Sequence, residues 1–338
     1  MKKILVLMTG GTIGSFVHDG TVSVKKNSCR AIEVYRELYG DEAEFEIHSL
    51  MNTLSENLDK HHWETMVNYL LGADLCGYGG VIVTHGSDTL SYSSAMLGLC
   101  LQGLDIPVVL TASGLVPDDP ESNAADNIHA AVVLIRTLGR GVYTVYKNPG
   151  DDHCTVYNAP DITEADRVQG RFSSFEGSPF GIVGGESFIM HHTREHKEIR
   201  GGHSGSGAQS LQNILCAENE LVGASERRRP LSLKYDVLMI RQYPGMDMSN
   251  YRIGENVKAV LVITYHSSTA CTQGRGSLLS ILEECKSRGI GMYLASFEEG
   301  GSLYDTSDLL LANGAVPLMH VSDETAYAYL LLKVNRGE

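Results

Sequence analysis

The chain has 338 residues, 43% of them hydrophobic, enough to bury a sizeable core and better suited to two domains than to one. Its 27 basic against 41 acidic residues leave a formal charge of −14, which excludes a general nucleic-acid or anionic-membrane surface, because either partner would be repelled. No stretch approaches the roughly 20 apolar residues of a bilayer-spanning helix, and seven scattered cysteines without a CxxC pair read as buried thiols of a reducing cytoplasm.

Met1-Lys2-Lys3 has the charge of a signal-peptide start, but Thr9-Gly10-Gly11-Thr12 follows too soon for the apolar core of such a peptide. Ile4-Leu5-Val6-Leu7-Met8 therefore reads as the first strand. This run and Val81-Ile82-Val83 are short, continuously apolar and rich in β-branched residues, which suits strands buried on both faces of a parallel sheet. Between the two, His61-His62-Trp63 reads as part of a surface helix with the single Trp turned inward. Val108-Val109-Leu110 and Val142-Tyr143-Thr144-Val145-Tyr146 are the next strands, with helical character from Asn123 to Leu138 between them. This alternation, from Lys3 to about Phe188, predicts βαβ units in a larger N-terminal domain, residues 1–190.

Residues 191–232 are polar, with Gly201-Gly202, Ser204-Gly205-Ser206-Gly207 and Arg227-Arg228-Arg229, and read as a partly mobile linker. Regular structure resumes at Tyr235 to Ile240, Ala259 to Ile263, a helix near Ser277 to Arg288, and Gly291 to Leu294. A last helix starts at the N-cap Ser322, has Asp323 and Glu324 at the positive end of its dipole, and runs to about Val334. The expected fold class is α/β, with a larger N-terminal parallel-sheet domain and a smaller C-terminal α/β domain at 233–338.

Chemistry concentrates at two strand ends, Thr9-Gly10-Gly11-Thr12-Ile13-Gly14 and Thr84-His85-Gly86-Ser87-Asp88-Thr89-Leu90. Ligands of parallel α/β sheets bind beyond the carboxyl ends of the strands. Gly10 and Gly11 let the backbone turn sharply and approach a ligand, and Thr12 adds a hydroxyl beside backbone N–H groups, the elements of a nucleophile with an oxyanion site. Ser87 and Asp88 supply a second hydroxyl and a carboxylate. Taken singly, either segment is also a reasonable structural turn. Neither GxGxxG, GxxxxGK[ST] nor GxSxG is present, so dinucleotide, P-loop and nucleophile-elbow readings lack support. His191-His192-Thr193-Arg194-Glu195-His196 puts two imidazoles four residues apart but is not HExxH, and it reads as solvated polypeptide; no metal site is assigned.

Together, TGGTIG and HGSDTL resemble the two signature segments of the bacterial asparaginase and glutaminase family. The resemblance extends to Ser55-Glu56-Asn57-Leu58, Tyr243-Pro244-Gly245-Met246-Asp247 and Asp323 to Lys333. It implies a two-domain α/β amidohydrolase without a cofactor, in which Thr12 is the nucleophile, Ser55 contacts the substrate α-carboxylate and Asp88 its α-amino group. Ser87 falls where the family has its second catalytic Thr, a hydroxyl of equal hydrogen-bonding capacity without the methyl that restricts rotation. Gly11, Gly86 and Glu56 complete the implied substrate-binding set.

Four features depart from the family pattern. The Lys of its Thr–Lys–Asp relay is missing, since no Lys occurs from Asn148 to His196, and Glu164, Asp166 or Arg167 takes its place according to where the gap is set. None is an equivalent base: Arg stays protonated, and a carboxylate repels Asp88. Gly14 to Lys26 lacks the activating Tyr of the family's loop, leaving Thr21 near that place and Lys25 or Lys26 as substitute cations. Glu56 replaces a neutral residue, which disfavours an acidic ligand; its plain reading is a solvated Glu at a helix start. Tyr265-His266-Ser267-Ser268-Thr269 lies where the family directs its second domain toward a neighbour's pocket, without the usual Gly-Asn pattern.

The expected function is hydrolysis of a side-chain amide, of free asparagine or of a related or peptide-borne substrate, with release of ammonia. The alternative is a family member that binds an amino acid or peptide without turnover. Relatives acting as tRNA-dependent amidotransferases share the Ser-Glu-Asn segment but require a partner subunit and a route for ammonia. The resemblance further implies a cytoplasmic homodimer or homotetramer.

Overall fold

The computed structural model describes residues 2–18, 21–23, 29–175, 177–191, 209–210, 229–297 and 304–336. The chain divides into two compact units, Met1–Lys197 with Ala224–Leu231, and Glu198–Gly223 with Ser232–Glu338. Among the described residues no helix is long and apolar enough to cross a membrane.

Unit 1 opens with β1 (Lys3–Met8), a single 3-10 turn at Thr12–Gly14, and the paired strands β2 (Phe16–His18) and β3 (Thr21–Ser23). It continues through α1 (Arg30–Tyr39), β4 (Phe45–Ser49), a 3-10 turn at Ser55–Asn57, α2 (Lys60–Gly72), β5 (Tyr78–Thr84) and α3 (Leu90–Cys100). Next come β6 (Pro107–Thr111), α4 (Ala124–Thr137), β7 (Gly141–Tyr146) and β8 (Cys154–Asn158). Strand pairs β9 (Ile162–Thr163) with β10 (Ser173–Ser174), and β11 (Gly181–Gly184) with β12 (Ser187–Met190), follow.

Eight of these strands form one sheet in the order β12-β11-β8-β7-β6-β5-β1-β4, parallel from β7 to β4 and antiparallel from β7 to β12. The apolar runs that predicted β1, β5 and β6 lie at its centre, where Ile4 to Met8, Val81 to Val83 and Val108 to Leu110 are all buried. The predicted alternation of strand and helix stops at β7. Beyond it, turns built on Asn148-Pro149-Gly150 and Gly184-Gly185 return the chain as neighbouring antiparallel strands.

The order of strands reverses at β1: the chain leaves it for β4 on one side and comes back for β5 on the other. Such a reversal opens a crevice at the strands' carboxyl ends. Helices α1 and α4 pack together over one face, with Ile4, Val6, Ile82, Val109 and Val145 beneath them, while α2 and α3 meet on the other. Trp63 ties this second pair, its Nε1 donating to Ser93 Oγ at 2.9 Å, as the inward placement of the Trp foresaw. Since β5, β6 and β7 step in one direction while α3 and α4 use opposite faces, the β6–α4–β7 crossover has the hand opposite to the other three. Parallel crossovers are overwhelmingly right-handed, so α4 closes the exceptional one.

Unit 2 contains β13 (Gln209–Ser210), β14 (Asp236–Arg241), β15 (Val257–Ile263), α5 (Leu279–Ser287), β16 (Gly291–Phe297), α6 (Asp305–Ala312), β17 (Val316–Met319) and α7 (Asp323–Arg336). Its sheet is parallel throughout, in the order β13-β17-β16-β15-β14. Ser322 caps α7 as predicted, its Oγ accepting the Thr325 N–H at 3.1 Å.

One expectation needs correction. Of the six described cysteines, all free, Cys29, Cys154 and Cys285 are buried, but Cys100 and Cys271 are half-buried and Cys76 is exposed. Cys76 sits in the turn before β5, where its N–H is held by Asp74 Oδ1 at 3.1 Å, a polar surface turn rather than core. Cys216, Lys25, Lys26, Glu176, His192 to His196, Arg227 and Arg228 lie outside the described residues.

Candidate active site

Three chain segments meet at the reversal beside β1. Thr9 ends the strand and fastens it to β5, donating from both N and Oγ1 to the Thr84 carbonyl at 3.2 and 2.8 Å. The Thr53 N–H in turn donates to the Thr9 carbonyl at 3.1 Å, bringing in the segment after β4. Gly10 and Gly11 have φ of 121° and 79°, conformations that glycine adopts without strain. There is also no room for side chains. A Cβ on Gly10 would strike the Thr53 backbone, and one on Gly11 would lie 2.6 Å from both Gly86 N and the His85 carbonyl. A Cβ on Gly86 would lie 2.5 Å from Ser55 Oγ. The two signature turns thus meet backbone on backbone, and the second meets the Ser55 side chain.

This contact brings together Gly11, Gly86 and Ser55. Ser55 is buried, and its carbonyl accepts the Thr89 hydroxyl at 2.9 Å. Thr89, one residue beyond the predicted set, therefore braces the Ser55 turn. Thr12 is half-buried on the 3-10 turn that begins one residue after Gly11. Ser87 is half-buried and Asp88 exposed, both immediately before α3. Glu56 is exposed on the turn at Ser55. Tyr265 to Thr269 belong to unit 2, where the segment is a local turn closed by Ser268 N–H to Tyr265 O at 2.8 Å and Tyr265 N–H to Thr269 O at 2.9 Å.

Two buried side chains missed in the sequence stand behind the turns. Ser15, 4% exposed, donates from Oγ to the Gly11 carbonyl at 3.1 Å and from N to the Thr12 carbonyl at 3.0 Å. His85, 1% exposed, donates from Nδ1 to the Gly86 carbonyl at 2.7 Å. Its Nε2 is buried without a hydrogen-bond partner among the described residues, so the ring is the neutral Nδ1–H tautomer. Burial pushes this imidazole down to about 4, against the weaker upward pull of the Gly86 hydrogen bond. A small hydroxyl three residues after Thr12 and a His between strand and glycine were the only signals of either.

The segment aligned with the family's missing Lys is held by its own contacts. Asp166 accepts the N–H groups of Val168, Gln169 and Arg171 at 3.0, 2.6 and 3.1 Å, and these bonds hold its carboxyl below the usual range. Arg171 forks onto Asp151 at 2.8 and 2.9 Å. Asn148, buried, grips Phe172 from both sides, accepting its N–H at 2.9 Å and donating to its carbonyl at 3.2 Å. Glu164 and Arg167 are exposed. The nearest upstream Lys, Lys147, is paired with Asp126 of α4 at 2.6 Å, and that bond raises its pKa. Among the described residues no cluster of three His, Cys, Asp or Glu side chains could hold a metal ion.

Residues 3–195 match the family described as Asparaginase, N-terminal. Among curated relatives, a glutamyl-tRNA(Gln) amidotransferase subunit of Methanosarcina barkeri is 30% identical over 190 residues, covering 54% of this chain and 44% of the relative. The corresponding amidotransferase subunit of Aeropyrum pernix is 25% identical over 343 residues, 97% of this chain and 74% of the relative. The chain spans about half the length of the first curated relatives it matches. Among solved structures, the thermostable L-asparaginase from Thermococcus kodakarensis superposes with a TM-score of 0.76 at 21% identity, covering 98% of this chain and 93% of that one. L-asparaginase I from Vibrio cholerae gives 0.69 at 18% identity, covering 100% and 94%. The two-unit α/β fold is therefore that of the L-asparaginases, and the chain belongs to the asparaginase family of amide-hydrolysing enzymes.

Proposed function

We propose that this chain hydrolyses the side-chain amide of asparagine, glutamine or a related peptide-borne residue, with Thr12 as nucleophile. The observation that supports the reading is the close approach of Gly11 to the His85–Gly86 peptide and of Gly86 to Ser55, which joins the three turns that carry Thr12, the Ser87–Asp88 pair and Ser55. In the proposed reaction Thr12 Oγ attacks the carboxamide carbon and gives up its proton. Backbone N–H groups of the turns hold the oxyanion, the C–N bond breaks and ammonia leaves. Water then hydrolyses the acyl ester to a carboxylate and restores Thr12. Ser55 and Asp88 hold the α-carboxylate and α-ammonium groups, with Glu56 at the rim. Ser87 is the second hydroxyl and takes part in moving the proton. No cofactor enters this scheme.

Ammonia release from asparagine, glutamine and Asn-containing peptides, wild type against Thr12→Ala, tests it. The expected outcome is a loss of at least about a thousandfold in the variant. Equal rates would remove Thr12 from the chemistry. If calorimetry shows an amino acid binding without ammonia release, the chain is instead a binding protein of the same fold.

The similarity to glutamyl-tRNA(Gln) amidotransferase subunits over 97% of the chain favours a second reading, in which the ammonia passes to a partner subunit. Amide hydrolysis that rises severalfold when a partner is added, and a chain that elutes with that partner, would support it; full activity in a homodimer or homotetramer would favour the first. The proposed organisation keeps 1–190 as the catalytic domain, 191–232 as linker and 233–338 as the second domain of a cytoplasmic protein.

A further inference from the structure

The turns before Thr12 and Ser87 share one construction. In each, a glycine precedes the hydroxyl residue and a buried side chain donates to that glycine's carbonyl: Ser15 Oγ to Gly11 O at 3.1 Å, His85 Nδ1 to Gly86 O at 2.7 Å. A trans peptide is planar, with its C=O and N–H antiparallel, so fixing a carbonyl fixes the N–H of the next residue in the opposite direction. Glycine is the residue least able to hold such a plane by itself. Both pins are interior, Ser15 at 4% and His85 at 1% exposure, while Thr12 and Ser87 are half-buried; the carbonyls point toward the pins, and planarity turns the partner N–H groups away from them.

We infer that Ser15 and His85 are paired positioning residues, which aim the Thr12 and Ser87 N–H groups at the oxyanion formed during amide hydrolysis and so act on the transition state rather than on substrate binding. This rests on the Thr12 reading. Among the described residues, no hydrogen bond joins Ser55 or Asp88, assigned to the ground-state substrate, to either pin. Loss of a pin therefore lowers kcat and leaves KM in place, because the misdirected donor is needed only once charge develops on the oxygen.

Kinetic constants for ammonia release by Ser15→Ala, Ser15→Thr, His85→Ala and His85→Asn provide the test. Both alanine variants should lose roughly ten- to a hundredfold in kcat with KM within about twofold. Ser15→Thr keeps the hydroxyl donor and His85→Asn a carboxamide donor at about the same reach, so both should recover most of the loss. Thr12 labelling by a diazoketone amino-acid analogue, mapped by mass spectrometry, gives a second readout that requires no turnover and should slow in parallel. Unchanged kcat in Ser15→Ala, a loss expressed in KM, or no rescue in variants that keep the wild-type circular dichroism would overturn the inference. Ser15→Ala removes a single oxygen, so it decides the matter even if His85→Ala costs the fold. Inactive Thr12→Ala beside a fully active Ser15→Ala defeats only the pins. Full activity or unmapped labelling with Thr12→Ala defeats the Thr12 reading itself.

Discussion

Both units carry a run of parallel strands with loops gathered at their carboxyl ends, yet the two runs are ordered differently. In unit 2 the strands from β14 to β17 succeed one another across the sheet in chain order, each beside the last. In unit 1 the chain steps back over β1, so the loops after β1 and β5 come from neighbouring strands with unlike histories and close on each other. The difference teaches that a parallel sheet alone supplies loops, whereas a reversal of strand order supplies a place where two of them must touch. The glycines record it. Gly11 has no space for a Cβ, while Gly245, in the loop after β14 and at a similar φ of 89°, has nothing within 4 Å of that position.

The largest expected effect breaks this contact. Gly11→Ala must push the β1 turn off the Gly86 backbone and also adopt a left-handed conformation, so we expect a loss of about 3 kcal/mol or more in urea unfolding. Gly245→Ala carries only the conformational penalty, about 1 kcal/mol. Equal losses would show that the contact adds nothing. A second test uses pH. With the folded imidazole of His85 at about 4 and the unfolded one near 6.5, the unfolded chain binds the extra proton between those values. Stability is therefore complete above about pH 6.5 and falls as pH drops toward 4, by about 3 kcal/mol. His85→Asn should remove that part of the slope; an unaltered pH profile would mean that the ring titrates normally.

Smaller effects lie in the flank of the site. Asn148→Ala leaves the buried Phe172 N–H without its acceptor and should cost about 2 kcal/mol, measured by the same urea transition. Asp166→Asn gives the smallest change. It weakens the exposed loop at Asp166 to Arg171, visible as faster amide exchange at Val168 and Gln169, with ammonia release within about twofold of wild type. A large drop in turnover from this one substitution would return the missing proton acceptor to the segment.

What the sequence revealed depended on how local its physical cause was. β1, β5 and β6 were readable because burial on both faces demands an uninterrupted apolar run, and α7 because Ser322 caps it through its own neighbour three residues on. β4 was not, since Phe45-Glu46-Ile47-His48-Ser49 lies at the sheet edge and is only half covered. The short strands after β7 carry too few residues to show a period. Within the site, Thr12, Ser55, Gly86, Ser87 and Asp88 stood out by type. The meeting of the turns that carry them depends on strand order, and the hydrogen bonds of Ser15, His85 and Thr89 depend on backbone directions that no spacing encodes.

The backbone seam of Gly10, Gly11 and Gly86 has a bearing on descent as well as on chemistry. A floor of this kind cannot be retuned by point substitution, because the first carbon of any side chain meets the Thr53 peptide at Gly10, the His85–Gly86 peptide at Gly11 and the Ser55 side chain at Gly86. Diversification must proceed beside it, where Leu54 and Glu56 flank the buried Ser55, face solvent and can be exchanged one at a time. A lineage built on this floor keeps its reaction and changes its clientele.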